Sequence, residues 1–269
     1  MKKLLKLGFT TIGISILVSC IVLEVDGIGR FAMILFGTVF SYIGSYIKTR
    51  WVSFLYNNCV EYDAIILASG KGERARLGYN KTFYKMKDGK TVLEHSASLF
   101  LDDDDCKKVI IVTSSDYLEQ VFKNDKVITV LGGKERRDSV ENGLSKVISE
   151  YVLIHDAARP FLHKQALEDV KNEVVISKAT ILARKATDTI KLVKDLKIEK
   201  TIDRDTIYLA ETPQAFESAL IKKCYEDSEK INFTDDASLV ESLGYTVSIT
   251  VDNYDNRKLT TQEDFKNIW

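Results

Sequence analysis

The stretch AIILASGKGERARLGYNK, residues 64–81, carries the residue types that hold anions. An apolar run ends at Gly70 and Gly72, and Lys71, Arg74, Arg76 and Lys81 follow. Free backbone N–H groups at such a turn form a nest for an anion. A nucleoside triphosphate carries roughly four negative charges, and one charge pair at about 4 Å is worth about 4 kcal/mol at an effective dielectric of about 20. Arg74, Lys81 and the glycine amides are therefore on the scale needed to hold a triphosphate and to stabilise a transferring phosphoryl group. Two better-known phosphate loops are excluded by spacing, because GKGERA lacks the third glycine of GxGxxG and no GxxxxGK[ST] is present. Taken alone, the loop fits a solvated basic turn equally well.

Other polar groups divide in the same way. Asp156 follows the apolar run YVLI, at the strand end where sites in parallel sheets lie, although it can also cap a helix before AARP. Asp235 and Asp236 can simply start a helix, with Thr234 as a cap. His155 and His163 are expected to be structural, and DDDD at 102–105 is expected to be a solvated helix end. Cys20, Cys59, Cys106 and Cys224 include no CxxC pair and no cysteine at ligand spacing from a histidine, which points to reduced thiols and no structural zinc. A net charge of -1, from 38 basic and 39 acidic residues, excludes a nucleic-acid binder advertised by global charge.

These residues need elements to position them. DAIILA, KKVIIVT, KVITVL and YVLIH have strand character, and TVLEHSASLFL, SSDYLEQVF and DSVENGLSKVIS between them have helical spacing. Such alternation predicts a largely parallel, doubly wound sheet with ligands at the strands' carboxyl ends. After Lys178, four extended pieces, ATILAR, DTIKLV, KIEKTID and TIYLAE, replace the alternation and suggest an inserted β arm, about residues 186–212. Closing helices are expected at about 217–229 and 235–243.

Residues 1–56 are a different material. LGFTTIGISILVSCIVL (7–23) and FAMILFGTVFSYIGSYI (31–47) are each 17 residues without a charge, the lower limit for a spanning helix. Lys2, Lys3 and Lys6 precede the first run and Lys48 and Arg50 follow the second, so the positive-inside rule predicts a transmembrane hairpin with both ends in the cytoplasm. A leader peptide with LVSC as a lipoprotein-like site, or a pair of soluble core helices, are the competing explanations. The expected localisation is the cell membrane, multi-pass, with the remaining domain in the cytoplasm.

With those residues in view, the chain resembles the 2-C-methyl-D-erythritol 4-phosphate cytidylyltransferases over about residues 62–269. LASGKGERA stands where that family has its triphosphate loop, GGKERRDSVENGL matches its base and ribose segment, and HDAARPF its metal and substrate segment. DTIK, TIDR, ETPQAF, TDDASLVE and NRKLTTQEDF follow in the family's order. The resemblance implies an α/β, Rossmann-like nucleotidyltransferase fold with a mixed, mostly parallel sheet and a β arm, here preceded by the two-helix hairpin. It implies transfer of CMP from CTP to methylerythritol 4-phosphate with Mg²⁺.

By resemblance, Arg74 and Lys81 stabilise the transition state, and Ala68, Ser69, Gly70, Gly72, Gly133 and Ser139 hold CTP. Asp156 contacts the polyol phosphate and the Mg²⁺, while Arg159, Thr234 and Lys258 make further substrate contacts. Thr189 and Arg204 lie in the arm and reach the neighbouring subunit's site, so a homodimer is implied; the partners are CTP, a polyol phosphate and the membrane, with no nucleic acid. The sequence departs from the family around Lys81, where Asn80 stands for the usual proline and Thr82 for the usual glutamine. Loss of the proline predicts a looser loop and slower or altered turnover. A ribitol 5-phosphate cytidylyltransferase and a catalytically impaired, membrane-tethered nucleotide-binding module are the alternatives.

Overall fold

The computed structural model describes residues 60–70, 75, 77–228, 233–266 and 268. The expected membrane hairpin lies outside the described residues, as do Gly72 and Arg74. Among the described residues no helix is long and apolar enough to cross a membrane.

Nine strands are described: β1 Tyr62–Leu67, β2 Cys106–Thr113, β3 Val127–Leu131, β4 Tyr151–Asp156, β5 Ala179–Lys185, β6 Ile190–Lys194, β7 Lys197–Ile202, β8 Tyr208–Glu217 and β9 Ser248–Val251. The helices are α1 Val92–Leu101, α2 Arg136–Leu144, α3 Lys164–Ser177, α4 Ser218–Glu226, α5 Asp236–Ser242 and α6 Gln262–Lys266. Seven strands form the main sheet in the order β3-β2-β1-β4-β8-β5-β9. β8 alone runs against its neighbours β4 and β5, and the remaining pairings are parallel. The sheet is thus mixed and mostly parallel, as expected.

Strand β1 shows why the sheet is covered on both faces. Ala64 and Ile66 pack with Leu93, Ala97 and Phe100 of α1 and Leu167 and Val170 of α3. Ile65, pointing the other way, packs with Val140 and Leu144 of α2, Ile221 of α4 and Leu239 of α5. A parallel strand buried on both sides reads as an unbroken apolar run, which is what AIIL is. α1 starts at a T-x-x-E capping box in which Glu94 N–H donates to Thr91 Oγ1 at 3.1 Å and Thr91 N–H donates to Glu94 Oε2 at 2.6 Å.

Several sequence expectations change here. SSDYLEQVF forms a 3-10 segment at Ser115–Gln120 instead of an α-helix. Of the four extended pieces, only β6 and β7 leave the sheet as a two-stranded hairpin, while β5 and β8 join the main sheet. The hairpin's arm is therefore narrower than the span read from sequence, and it turns at Asp195 and Leu196, both at positive φ (49 and 61). That is the turn pattern usually filled by Asn-Gly. DDDD is not merely solvated: Lys171, 3% exposed, donates to Asp103 Oδ2 at 2.8 Å and pairs with Asp105 at 2.8 Å and Glu168 at 3.3 Å. Tyr62 Oη adds a bond to Asp103 at 2.9 Å. Removing one partner of a buried charge set costs about 3–5 kcal/mol, so Lys171→Ala is expected to lower the unfolding free energy by an amount of that order and with it the denaturant midpoint. An unchanged midpoint in a urea titration would contradict the buried-lysine account.

Candidate functional site

The chain runs from β1 to β2 and β3 on one side, then returns to β4 on the other side of β1. Such a reversal opens a crevice at the carboxyl ends of the two central strands. β1 ends beside Asp156, since Leu67 is in register with Asp156 and Ala157 N–H donates to Leu67 O at 3.1 Å. Ala68 and Asp156, residues from separate sequence motifs, therefore open the same crevice.

Beyond the end of β1, Ser69 Oγ lies 2.9 Å from Ser139 Oγ, and Ser139 Oγ accepts from Gly133 N–H at 3.1 Å and donates to Glu135 O at 3.1 Å. The two glycines before α2 are required by contact: a Cβ on Gly132 would stand 2.6 Å from the Ser69 Cβ, and one on Gly133 only 2.0 Å from the Asp138 Cβ. Gly70 differs, because a Cβ there would meet nothing within 4 Å. No neighbour among the described residues demands that glycine. Ala68, Ser69, Gly70, Gly133 and Ser139 are thus brought together as one wall.

A second cluster, around Asp156, is cationic. Lys258 Nζ donates to Asp156 Oδ2 at 2.6 Å, and Arg159 Nε stands 3.7 Å from the same oxygen. Burial works against the charge on Asp156, yet Lys258, Arg136 and Arg159 outweigh it and hold the carboxyl below the usual carboxylate range. Asp156 is an anchored carboxylate here, not a helix cap. Arg159, 8% exposed, donates from Nη1 to Asn256 O at 2.6 Å, while its buried Nε has no hydrogen-bond acceptor among the described residues. A donor of that kind is suited to an incoming phosphate oxygen. Lys81 Nζ donates to Leu259 O at 2.7 Å, and Leu259 N–H donates to Ala158 O at 2.8 Å. Lys81, Lys258 and the 156–159 loop are consequently stitched into one cluster.

The remaining expected residues fall elsewhere. Thr234 is exposed and lies just before Asp235, which is the actual cap of α5 through Ser238 N–H at 3.0 Å. Thr189 and Arg204 sit at the base of the hairpin, where Arg204 Nη1 donates to Thr187 O at 2.7 Å; the structure does not bring either to Asp156. His155 and His163 are structural, as expected. Burial drives the His155 ring down to about 4, so it is neutral; Thr212 Oγ1 donates to Nδ1 at 3.0 Å and Nε2–H donates to Arg159 O at 3.1 Å. Asp156 N–H donates in turn to Thr212 Oγ1 at 3.1 Å.

Three supports were missed from sequence. Arg136 makes a bidentate pair with Asp236, at 3.0 and 2.6 Å, and Tyr225 Oη donates to Asp236 Oδ1 at 2.6 Å. This ties GGKERRDSV to TDDAS and makes Asp236 more than a helix start. Gln214 bridges β8 to α5, donating to Asp235 Oδ2 at 2.7 Å and accepting from Ala237 N–H at 3.1 Å. Glu211, beneath Arg159 (Oε1 to Nη1, 3.7 Å), faces the buried carboxyl of Asp252. No local sequence pattern names these partners, which are far apart along the chain.

The looseness expected around Lys81 is not what the structure shows. Asn80 has φ -65, a value a proline would also hold, and its side chain caps the Lys81–Phe83 turn by accepting from Thr82 N–H at 3.1 Å. The turn is held by hydrogen bonds in place of a ring.

A doubly wound sheet with a glycine-bearing loop, a buried carboxylate and converging lysines at the β1 and β4 ends defines a nucleotidyltransferase. The sequence profile of the 2-C-methyl-D-erythritol 4-phosphate cytidylyltransferases matches residues 62–268, and the chain belongs to that family. The Geobacillus thermodenitrificans enzyme of that name is 40% identical over 215 residues, covering 76% of this chain and 94% of its own. The Clostridioides difficile enzyme is 35% identical over 216 residues, covering 76% and 90%. Among solved structures, 4-diphosphocytidyl-2C-methyl-D-erythritol synthase from Anaerococcus prevotii has a TM-score of 0.67 at 31% identity, covering 77% of this chain and 93% of its own. The Francisella tularensis 2-C-methyl-D-erythritol 4-phosphate cytidylyltransferase gives 0.66 at 30%, covering 77% and 97%. The chain is a CTP-dependent cytidylyltransferase of isoprenoid precursor synthesis.

The Glu211–Asp252 contact has a measurable signature. Burial, then the neighbouring Asp252 carboxyl, push the Glu211 carboxyl up to about 7 against the pull of Arg159 and Arg184. Between its ordinary value of 4.5 and about 7, the native state keeps a proton that the unfolded chain releases. Native stability therefore falls as pH rises through that window. Glu211→Gln removes this proton, so melting temperatures recorded from pH 5 to pH 8 should decline less in the variant than in the wild type. Parallel declines would show that Glu211 keeps no such proton.

Proposed function

We propose that the crevice at the β1 and β4 ends transfers CMP from CTP to 2-C-methyl-D-erythritol 4-phosphate by direct displacement. The observation that carries the assignment of roles is the stitching of Lys81, Asp156, Arg159 and Lys258 into one cluster at the end of β4, beside the end of β1 that leads into Ser69. A phosphate oxygen of the polyol attacks the α-phosphorus of CTP. The new P–O bond forms as the bond from that phosphorus to the β-phosphate bridging oxygen breaks, and pyrophosphate leaves with the electron pair.

No protein nucleophile is required, so the chain's contribution is positioning and charge neutralisation. Lys81, with Arg74, neutralises charge developing on the α-phosphoryl oxygens. The amides near Gly70 and Gly72 hold the β- and γ-phosphates. Gly133 N–H, Ser139 and Ser69 face the base and ribose. Arg159 and Lys258 receive the polyol phosphate, and Asp156 fixes Lys258 by its ion pair. Mg²⁺ is commonly bound by one or two carboxylates together with substrate phosphates and water. Asp156, an ionised carboxylate opening on the triphosphate crevice, fits that donor set, and the ion would supply further charge neutralisation there.

Two assembly features belong to the same proposal. The hairpin β6–β7 carries Leu192, Val193, Leu196 and Ile198 all exposed, with Leu196 at 98%, and a second copy of the chain is the partner that covers them and receives Thr189 and Arg204 at its site. The uncharged runs 7–23 and 31–47 anchor the enzyme in the cell membrane with the catalytic domain on the cytoplasmic side.

The decisive assay offers methylerythritol 4-phosphate and ribitol 5-phosphate separately, with CTP and Mg²⁺, and measures pyrophosphate. Turnover with the first, lost by about 10²-fold or more in Lys81→Ala, is expected from the loss of one preorganised charge donor. Preference for ribitol 5-phosphate would sink the substrate assignment, and CTP binding without turnover of either would make the protein a binding module. For the assembly, mixing inactive Arg204→Ala chains with inactive Lys81→Ala chains should restore activity through hybrid sites. Failure of sedimenting dimers to form would end that part of the proposal. Membrane fractions treated with protease from outside should protect the catalytic domain, and its digestion would reverse the topology.

A further inference from the structure

The turn carrying Lys81 is organised by its neighbour. Asn80 and Thr82 are each 4% exposed. Asn80 Nδ2 donates to Ala68 O at 2.6 Å, where β1 opens into the nucleotide loop. Asn80 Oδ1 accepts from Thr82 N–H at 3.1 Å and from Thr82 Oγ1 at 2.9 Å. The Asn80 backbone N–H donates to Tyr117 Oη at 2.9 Å, and the Tyr117 ring stacks on Phe83 at 4.5 Å and 23°. A carboxamide offers two acceptor sites and two N–H donors, and three of those four are committed to the chain itself. Asn80 therefore does not act on substrate directly.

These bonds connect three segments: the end of β1, the segment after β2, and the 3-10 turn Lys81–Phe83. Lys81 is the first residue of that turn, and its ammonium spans to Leu259 O. We propose that Asn80 is a positioning residue for cytidylyl transfer, fastening the Lys81 turn to the mouth of the nucleotide loop so that the ammonium is presented to the α-phosphoryl group. The proposal rests on the catalytic role assigned above to Lys81. A lysine side chain is long and has many rotamers, so its precision draws on its backbone anchor as well as on the Leu259 carbonyl it reaches. Buried hydrogen bonds are well suited to that anchor because water does not compete for them. A displacement of about 1 Å in a positioned group can cost about 10²-fold in rate.

The test uses the full chain and steady-state pyrophosphate release with CTP and methylerythritol 4-phosphate, comparing Asn80→Ala, Thr82→Val, Lys81→Ala and Asn80→Ala with Lys81→Ala. Asn80→Ala is expected to lower kcat by about 10–100-fold with little change in KM for CTP. Thr82→Val keeps the side-chain volume but removes one bond to Asn80, and should lower kcat less, at an unchanged melting temperature. Because Asn80 acts through Lys81, the double variant should be no slower than Lys81→Ala alone. Losses that multiply in the double variant, or a wild-type kcat in Asn80→Ala, would overturn the proposal. If Asn80→Ala does not fold, Thr82→Val decides alone, and an unaltered kcat there is equally fatal. Full activity in Lys81→Ala would instead strike the role of Lys81, which separates the two failures.

Discussion

The crevice depends on keeping one carboxylate ionised where burial opposes its charge. Asp156 closes the end of β4 with Lys258, Arg159 and Arg136 around it, and the cations outweigh the cost of desolvation. That balance draws the C-terminal segment 256–259 onto the 156–159 loop, through Arg159 to Asn256 O and Leu259 to Ala158 O. Once Leu259 is placed, its carbonyl receives Lys81. Lys258, Arg159 and, through Leu259, Lys81 are thus linked to the same acidic group.

A second layer holds the first in place. Arg136 is itself fixed by Asp236, which Tyr225 also grips, and Gln214 carries β8 to the same helix. The His155–Thr212 pair does the equivalent for the backbone of Asp156. None of these groups needs to meet substrate. They make the positions of those that do a property of the packed sheet, which suits a reaction in which placement and charge supply most of the acceleration.

Much of this was legible in the residues, and the parts that were not share a cause. The strand AIIL, its glycine turn and the charges after it announce an anion loop from local composition, because strand, turn and charge are all local features. Pairings between distant positions leave no such trace: Lys171 and Asp103 are separated by 68 residues, so DDDD reads as a solvated end until its buried lysine is seen. Only the first part of β8, within TIYLAE, reads as extended, and its place among four such pieces assigns it to the arm instead of the main sheet. The ladder with β5 shifts register between Ile181 and Ala183, and the displaced residues Glu211 to Pro213 fall in that irregular stretch, where no regular donor is demanded. There Glu211 and Thr212 meet Arg159 and His155. Asn80 was judged by the ring it lacks, whereas its side chain supplies bonds that a ring has no atoms to make.

The place of β8 in the sheet also orders events during synthesis. β4 has β1 on one side, but its other edge stays unpaired until residues 208–217 have emerged from the ribosome, and β5 has no partner at all until then. A nascent chain that ends near residue 185 therefore presents the bare edge of β4 and an unpaired β5, the kind of surface that recruits chaperones or sticks to other chains. The first four strands can assemble early, but β5 joins them only through β8, and β9 completes the sheet last.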